Sequence, residues 1–182
     1  MRNSAKVHPV DLAALQDKTA ENAFRSYSPA LKNFCRRLLM DSALADDVVQ
    51  QTFEIALRSF GDLRQPDKSR AWIFQIARNE CLRILKTNRA AEWSDELAAD
   101  TSPTPLDLTI GQDVRAIVTN AIEQLPGIYR EADVLRDMEG FTFAEIAQIA
   151  GVAISAIKFR IFRGRELLME RLDPVLKEWR MP

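Results

Sequence analysis

The sequence has little of the material from which metal sites, disulfides and catalytic centres are built. Its 182 residues include one histidine and two cysteines, and Cys35 and Cys81 stand alone in segments of apolar patterning. A zinc site or a histidine-based catalytic centre needs more ligands or bases than this. The sequence also shows no Gly-rich phosphate loop. We therefore expect no enzyme, no metal and no cofactor, and we expect both cysteines to be buried free thiols.

Long apolar runs are missing as well. No stretch approaches the ~20 apolar residues that a membrane helix needs. The N-terminal sequence MRNSAKVHPVDL lacks the apolar segment of a signal peptide. These absences predict a cytoplasmic protein without membrane insertion. With 47% hydrophobic residues, the chain can still build one or two domain cores.

Proline and glycine are sparse, and the apolar spacing is helical nearly throughout. The main interruption is the segment 88–111, which contains Pro103, Pro105 and a run of acids. The pattern predicts an all-α fold with two small helical domains, at 1–87 and 112–182, joined by a flexible acidic linker. Within the first domain, helical patterns run near 20–40, 43–59 and 70–87, and Ser42 is the predicted N-cap of the second.

The net charge of −1 conceals a segregated distribution. Residues 61–90 carry seven Lys/Arg and three acids, and residues 151–182 carry seven and four. Residues 91–110 carry five acids and no base. Two basic blocks separated by an acidic stretch favour contact with nucleic acid at two places.

The C-terminal part has the pattern of a helix-turn-helix. Thr142 and Glu145 form a capping box in front of an apolar run, and Gly151 can end that helix. A short turn leads into a second helix, which carries alternating cations and apolar residues in SAIKFRIFRGREL.

That second helix has two faces when it is placed on a wheel of ~100° per residue. One stripe should pack on the preceding helices and contains Ile154, Ile157, Ile161, Leu168 and Leu172. The other contains Ser155, Phe159, Phe162 and Arg163, with Lys158 and Arg160 beside it. Phenylalanines on a solvent face predict a covering partner. In a DNA major groove the rings can contact thymine methyls and the cations can bind guanine edges or phosphates.

The helix SRAWIFQIARNECLRILK also has two faces. Its core-facing side contains Ile73, Ala77, Cys81, Ile84 and Leu85, and its other side contains Trp72, Gln75, Asn79, Arg83 and Lys86. Aromatic rings, amides and cations in one row are typical of a surface that binds unstacked bases. The alternative for this helix is that Trp72 belongs to the core and the polar residues are only solvated.

These segments together resemble a sigma factor of bacterial RNA polymerase, of the small extracytoplasmic-function (ECF, group IV) type that keeps only regions 2 and 4. ADDVVQQTFEIAL is similar to region 2.2, and SRAWIFQIARNECLRILK is similar to the segment that melts and reads the −10 element. AIEQLPGIYREADVLRDMEGFTFAEIAQIAGVAISAIKFRIFRGREL resembles region 4, which reads the −35 element. The resemblance implies a factor that binds core RNA polymerase and directs promoter-specific transcription initiation.

The resemblance also implies partners and site residues. The partners are the β′ clamp and β flap regions of core polymerase, promoter DNA and an anti-sigma factor. The implied polymerase-binding residues are Asp47, Gln50, Thr52 and Phe53. The implied −10 residues are Lys68, Arg70, Trp72, Gln75, Arg78, Asn79, Arg83 and Lys86, with Asn79 where the family captures a flipped base. The implied −35 residues are Ser155, Lys158, Phe159, Arg160, Phe162 and Arg163.

The sequence departs from the family pattern at three positions. Gln51 stands where an acid is usual, Phe159 where a small polar residue is common, and Ala153 where a proline is frequent. Two other interpretations stay open from the residues alone. A stand-alone regulator with an N-terminal sensor domain would bind duplex DNA without polymerase. A sigma-mimicking adaptor that never touches DNA would tolerate mutation of Asn79 or Arg163.

Overall fold

The computed structural model describes residues 25–59, 68–88 and 114–180, and within these ranges every regular element is a helix. We label the helices α1 (25–39), α2 (Ser42–Ser59), α3 (Ser69–Asn88), α4 (Val114–Glu123), α5 (Gly127–Asp133), α6 (Phe143–Ala150) and α7 (Ile154–Arg180). Helix α5 continues into a π-helical turn at Val134–Met138. The all-α prediction is confirmed. Apart from Asn88, the predicted linker lies outside the described residues.

Helices α1, α2 and α3 form the N-terminal bundle around a core of large apolar side chains. The fully buried members include Leu31, Phe34, Leu38, Ile73 and Phe74. The predicted core face of α3 is confirmed, since Ile73, Ala77, Cys81 and Leu85 are all buried and Ile84 is half-buried.

Both cysteines are buried free thiols, as predicted. A hydrogen bond with Cys35, and then burial, raise the pKa of the Cys81 thiol well above its ordinary value. A thiol with a raised pKa forms little thiolate and is therefore a poor nucleophile.

The N-cap of α2 is Asp41, so the prediction of Ser42 was wrong by one residue. The Asp41 carboxylate accepts hydrogen bonds from the backbone N–H groups of Ala43 (2.8 Å) and Leu44 (3.0 Å). The preceding Met40 adopts a left-handed φ of 56° and turns the chain between α1 and α2. This turn aims the Asp41 side chain at the first free N–H groups of the helix, where a carboxylate is favoured.

The C-terminal bundle, α4 to α7, contains the predicted helix-turn-helix in α6 and α7. The Thr142 hydroxyl accepts from the Glu145 N–H, and the Glu145 carboxylate accepts from the Thr142 N–H at 2.8 Å, so the capping box is confirmed. Gly151 ends α6 with a left-handed φ of 69°. Because an L side chain is strained at this φ, glycine suits the turn between the two helices.

The N-terminal and C-terminal bundles share one continuous core. Phe74 of α3 lies between Phe34 of α1 and Phe141, with ring centroids 5.3 Å and 5.0 Å away. The buried guanidinium of Arg130 in α5 donates to the backbone oxygen of Glu123 at 2.6 Å and to that of Leu38 in α1 at 3.3 Å. The first helix of the helix-turn-helix, α6, also packs directly against α3.

Candidate DNA-binding and polymerase-binding surfaces

The outer face of α7 exposes two aromatic rings. Phe159 is 60% exposed and Phe162 is 63% exposed, and they lie opposite the buried Ile157 and Ile161. Ser155 and Lys158 are exposed beside them. Met169 is 70% exposed, and its position seven residues after Phe162 extends the apolar stripe by two turns. Sequence reasoning missed Met169, although the helical spacing from Phe162 would have shown it.

The other two predicted cations of α7, Arg163 and Arg160, are less accessible for contact with DNA. Arg163 is half-buried and forms an ion pair with Glu166 at 3.1 Å. Arg160 is buried, with 6% of its surface exposed, so it does not lie on the outer face. The predicted packing of Ile154 was wrong, because this first residue of α7 is 46% exposed.

Helix α3 leaves one end of its predicted DNA-binding face open. Asn79, Arg83 and Lys86, in the C-terminal half of the helix, are exposed. Lys68, at the opposite end and just before the helix, is exposed as well. Arg83 forms an ion pair with Glu80 at 3.0 Å. Trp72 is half-buried and packs partly against the core, so the alternative that assigned it to the core is correct for part of the ring.

The other end of the same face is covered by the C-terminal bundle. The Arg70 guanidinium donates to the backbone oxygen of Glu139 at 2.6 Å and to its carboxylate at 3.3 Å. It also lies over the Phe141 ring at 4.1 Å. Gln75 donates to the backbone oxygen of Gln148 at 3.5 Å.

The most enclosed contact of this kind joins Arg78 to Glu131. Both carboxylate oxygens of Glu131 accept from the Arg78 guanidinium, the second at 3.4 Å. The Arg78 side chain is 13% exposed and that of Glu131 is 1% exposed. A forked guanidinium that meets a carboxylate in this way makes the stronger, charge-assisted kind of hydrogen bond. Three of the eight predicted −10 residues, Arg70, Gln75 and Arg78, are therefore bonded to the C-terminal bundle.

Two opposite effects act on the pKa of the Glu139 carboxyl. Burial raises its pKa above the ordinary value, and the charge and hydrogen bond of Arg70 act in the opposite direction. Desolvation is the larger effect, so the ion pair offsets only part of the cost of placing this carboxylate between the bundles.

Helix α2 presents the predicted polymerase-binding surface. Asp47 and Gln50 are exposed, and Phe53 is half-buried. Thr52 is fully buried, and its hydroxyl donates to the backbone oxygen of Val48 at 2.7 Å. Its side chain is thus part of the helix interior and not of this surface. Leu57, which the sequence reasoning missed, is 46% exposed two turns after Gln50.

Two structural absences hold for residues 25–59, 68–88 and 114–180. No helix in these ranges is long and apolar enough to cross a membrane. No group of three or more His, Cys, Asp or Glu side chains in them could hold a metal ion.

Comparison with known proteins places the chain in a family. Residues 23–91 match Sigma-70 region 2, and residues 115–168 match Sigma-70, region 4. The chain is 32% identical over 155 residues to the RNA polymerase sigma factor CarQ of Myxococcus xanthus, which covers 84% of this chain and 88% of that protein. It is 28% identical over 143 residues to the ECF RNA polymerase sigma-E factor of Escherichia coli strain K12, covering 72% and 75%.

The fold also has a solved counterpart. The sigma factor RpoE, in its co-crystal structure with the anti-sigma factor NepR from Bartonella quintana, superposes with a TM-score of 0.67 at 29% sequence identity. The match covers 86% of this chain and 98% of that one. The resemblance inferred from the sequence is confirmed. The chain belongs to the extracytoplasmic-function type of the sigma-70 family, the RNA polymerase sigma factors that direct transcription initiation at promoters and are not enzymes.

Proposed function

We propose that this sigma factor reads the −35 element with the outer face of α7. The observation that carries the proposal is the exposure of Phe159 and Phe162 on the second helix of a helix-turn-helix, beside the exposed Lys158. More than half of each ring faces solvent, where it stabilises nothing unless a partner covers it. In a major groove the rings contact thymine methyls, while Lys158, Ser155 and Arg163 bind base edges or phosphates.

Helix α3 is the proposed reader of the −10 element. Asn79 forms the base-binding position, Trp72 offers a partly exposed ring for stacking, and Arg83, Lys86 and Lys68 bind the backbone. Flipping a base out of the stack costs a few kcal/mol. Stacking on an aromatic ring returns roughly 1–3 kcal/mol per base, so one ring and a few polar contacts are enough to hold an unstacked base.

The exposed face of α2 is the proposed contact with the β′ clamp of core polymerase. Asp47 and Gln50 supply its polar part, and Phe53 with Leu57 supply its apolar part. We further propose that residues 1–87 act as the polymerase-binding and −10 domain and that residues 112–182 act as the −35 domain next to the β flap. Residues 88–111 connect them.

An anti-sigma factor is a proposed partner. The related RpoE structure is a complex of a sigma factor with an anti-sigma factor, and the present chain matches that sigma factor over nearly its whole length. The proposed place of action is the cytoplasm, where the transcribing polymerase is found.

Transcription in vitro tests the proposal for α7. Core polymerase is supplied with the wild-type protein or with Phe159→Ser/Phe162→Ser on a library of random upstream sequences. We expect the wild type to select two separated elements and the variant to lose the upstream one only. Val118→Ala, which removes an exposed apolar side chain from α4 and not from the outer face of α7, is the control and should keep both elements. Failure of the wild type to initiate, or an unchanged upstream element in the variant, contradicts the proposal.

A further inference from the structure

We propose that Phe159 is a specificity-determining residue that reads the C5-methyl group of one pyrimidine in the −35 element. Thymine carries this methyl group, and so does 5-methylcytosine, whereas cytosine lacks it. Methylation of a cytosine at that position therefore strengthens the contact with this sigma factor. The inference rests on the proposed function, since it assumes that the outer face of α7 lies in the major groove of the upstream element. Because Phe159 is one of the three departures from the family pattern, the preference belongs to this chain and does not follow from its relatives.

The charges of α7 limit how much of its outer face can contact DNA. Between Ile154 and Arg163 the exposed and half-buried side chains include two cations, and no acidic residue occurs in this stretch. Carboxylates follow on the same side of the next turns, where Glu170 and Asp173 are exposed and Glu166 is half-buried. Phosphates repel these carboxylates. The DNA contact is therefore confined to the first turns of α7, over about 15 Å of helix.

Phe159 lies near the middle of this DNA-facing stretch. On a helical wheel of ~100° per residue, Lys158 lies ~100° to one side of Phe159, and Arg163 lies ~40° to the other side. Both cations have long side chains that can reach the phosphates at the two edges of a groove. The Phe159 ring, 60% exposed between them, faces the floor of the groove, where the base edges lie. Phe159 is thus placed to contact bases and not the backbone.

A phenyl ring distinguishes bases only through their apolar groups. It has no donor or acceptor for the N4 amino group of cytosine or the N6 amino group of adenine, and covering such a group without a hydrogen bond is unfavourable. The C5-methyl group of thymine is the apolar group that the major groove offers. 5-Methylcytosine presents the same methyl group at the same ring position. A ring that is centred on this methyl group leaves the group at position 4 at its edge, within reach of water.

Phe162 provides an internal reference, because its ring contacts a different base. Side chains three residues apart on a helix have Cβ atoms about 5–6 Å apart. This separation exceeds the rise of about 3.4 Å between neighbouring nucleotides of one strand. Each ring therefore has its own base, and removal of one ring leaves the preference of the other intact.

The experiment measures transcription initiation by the holoenzyme, formed from core polymerase and the full-length protein at a concentration below saturation. The promoter carries the two elements that the wild type selects in the transcription experiment. Each thymine of the upstream element, on either strand, is replaced in turn by deoxyuridine, which lacks only the methyl group. Burial of one methyl group is worth ~0.8 kcal/mol, so we expect initiation to fall about fourfold at the position that Phe159 reads. At the same position, 5-methylcytosine should support about fourfold more initiation than cytosine.

Variants of the exposed rings assign the methyl preference to a side chain. Phe159→Ser should initiate equally with thymine and deoxyuridine at one position and keep the wild-type ratio at the position that Phe162 reads. Phe162→Ser should show the reverse pattern. Phe159→Leu keeps an apolar side chain and should retain part of the preference. Val118→Ala, in α4, is the control and should keep both ratios. Each ratio compares two templates with one protein, so it does not depend on how much of a variant folds.

Two results overturn the inference and leave the proposed function standing, provided that Phe159→Ser/Phe162→Ser still loses the upstream element. The first is equal initiation with thymine and deoxyuridine at every upstream position in the wild type, or an upstream element without thymine. The second is a methyl preference that Phe159→Ser leaves unchanged at every position. If the double variant keeps the upstream element, the proposed −35 surface is wrong, and the inference fails with it.

Discussion

Asp133 is the residue whose environment opposes its ordinary charge state most clearly. It is buried in α5, and within the described part of the chain its Oδ1 atom has no hydrogen-bond partner. Burial, followed by the neighbouring charge of Asp137, raises the pKa of its carboxyl to about 6, while Arg165 acts in the opposite direction. Near neutral pH the folded protein therefore holds a carboxylate that is poorly solvated.

The first prediction is that Asp133→Asn stabilises the protein at high pH. The folded state keeps its proton up to a pH of about 6, whereas the unfolded chain loses it near 3.8. The wild type therefore loses stability as the pH rises from about 4 to 6. The neutral asparagine avoids this loss, and we expect a gain of about 1–2 kcal/mol at pH 8 that shrinks toward pH 4.5.

Urea denaturation at the two pH values measures this difference. Asp46→Asn is the control, because Asp46 is exposed and forms a surface ion pair with Lys32 at 2.7 Å. Such a pair is worth about 0–1 kcal/mol, and no pH-dependent gain is expected from its removal. A gain for Asp133→Asn that is the same at both pH values would rule out the titration of Asp133 as its cause.

The sequence predicted the exposure of some side chains correctly and that of others incorrectly. Phe159 and Phe162 were placed correctly on the outer face of α7, because they lie opposite the apolar stripe. Arg160 was placed incorrectly beside them. It lies only about 60° from the buried Ile157 on the helical wheel and is itself buried. Thr52 follows Val48 by one turn on the buried side of α2. A wheel gives the direction of a side chain, but the neighbouring helices decide whether that direction leads to solvent.

At the scale of the element, the ends of the helices follow from local chemistry. The Thr142–Glu145 capping box and Gly151 were predicted because all their partners lie within a few residues in the sequence. The start of α2 was missed by one residue, because Asp41 and Ser42 are both good N-cap residues. The left-handed turn at Met40 decides between them, and no residue preference predicts a positive φ at a methionine.

The second prediction separates these two candidates. Asp41→Ala removes the acceptor of two backbone N–H groups at the start of α2 and should cost about 1 kcal/mol of unfolding free energy. Ser42→Ala should change it by less than about 0.5 kcal/mol, because Ser42 lies exposed past the cap. Asp41→Asn keeps a side-chain acceptor and should recover most of the loss. Chemical denaturation of the three variants checks the order, and a larger cost for Ser42→Ala would show that the cap is assigned to the wrong residue.

At the scale of the whole molecule, the sequence predicted the helices but not the contact between the two bundles. Arg78 and Glu131 are 53 positions apart, and Arg70 and Glu139 are 69 apart. Helical periodicity carries information over a few turns and none over such distances. The basic face of α3 could therefore be predicted from the sequence, while its partners within the protein could be found only from the packing.

The shared core makes a third prediction about cooperativity. Phe74 contacts both Phe34 and Phe141, and Arg130 donates to a backbone oxygen of α1, so unfolding of one bundle removes contacts of the other. We expect the free wild type to unfold in a single calorimetric transition, with equal calorimetric and van't Hoff enthalpies. Phe141→Ala should cost about 3 kcal/mol and split the transition in two, because it removes the ring that joins the cores.

The exposed Phe162 provides the matched control for this prediction. Phe162→Ala removes the same ring from a position that is 63% exposed, so it should leave one transition with nearly the same midpoint.

Two transitions in the wild type would mean that the bundles unfold independently and that the contact around Phe141 contributes little in solution. A single transition that persists in Phe141→Ala would instead assign the coupling to the ion pairs of Arg70 and Arg78. In that case a variant that lacks both ion pairs, Glu131→Gln/Glu139→Gln, should show two calorimetric transitions.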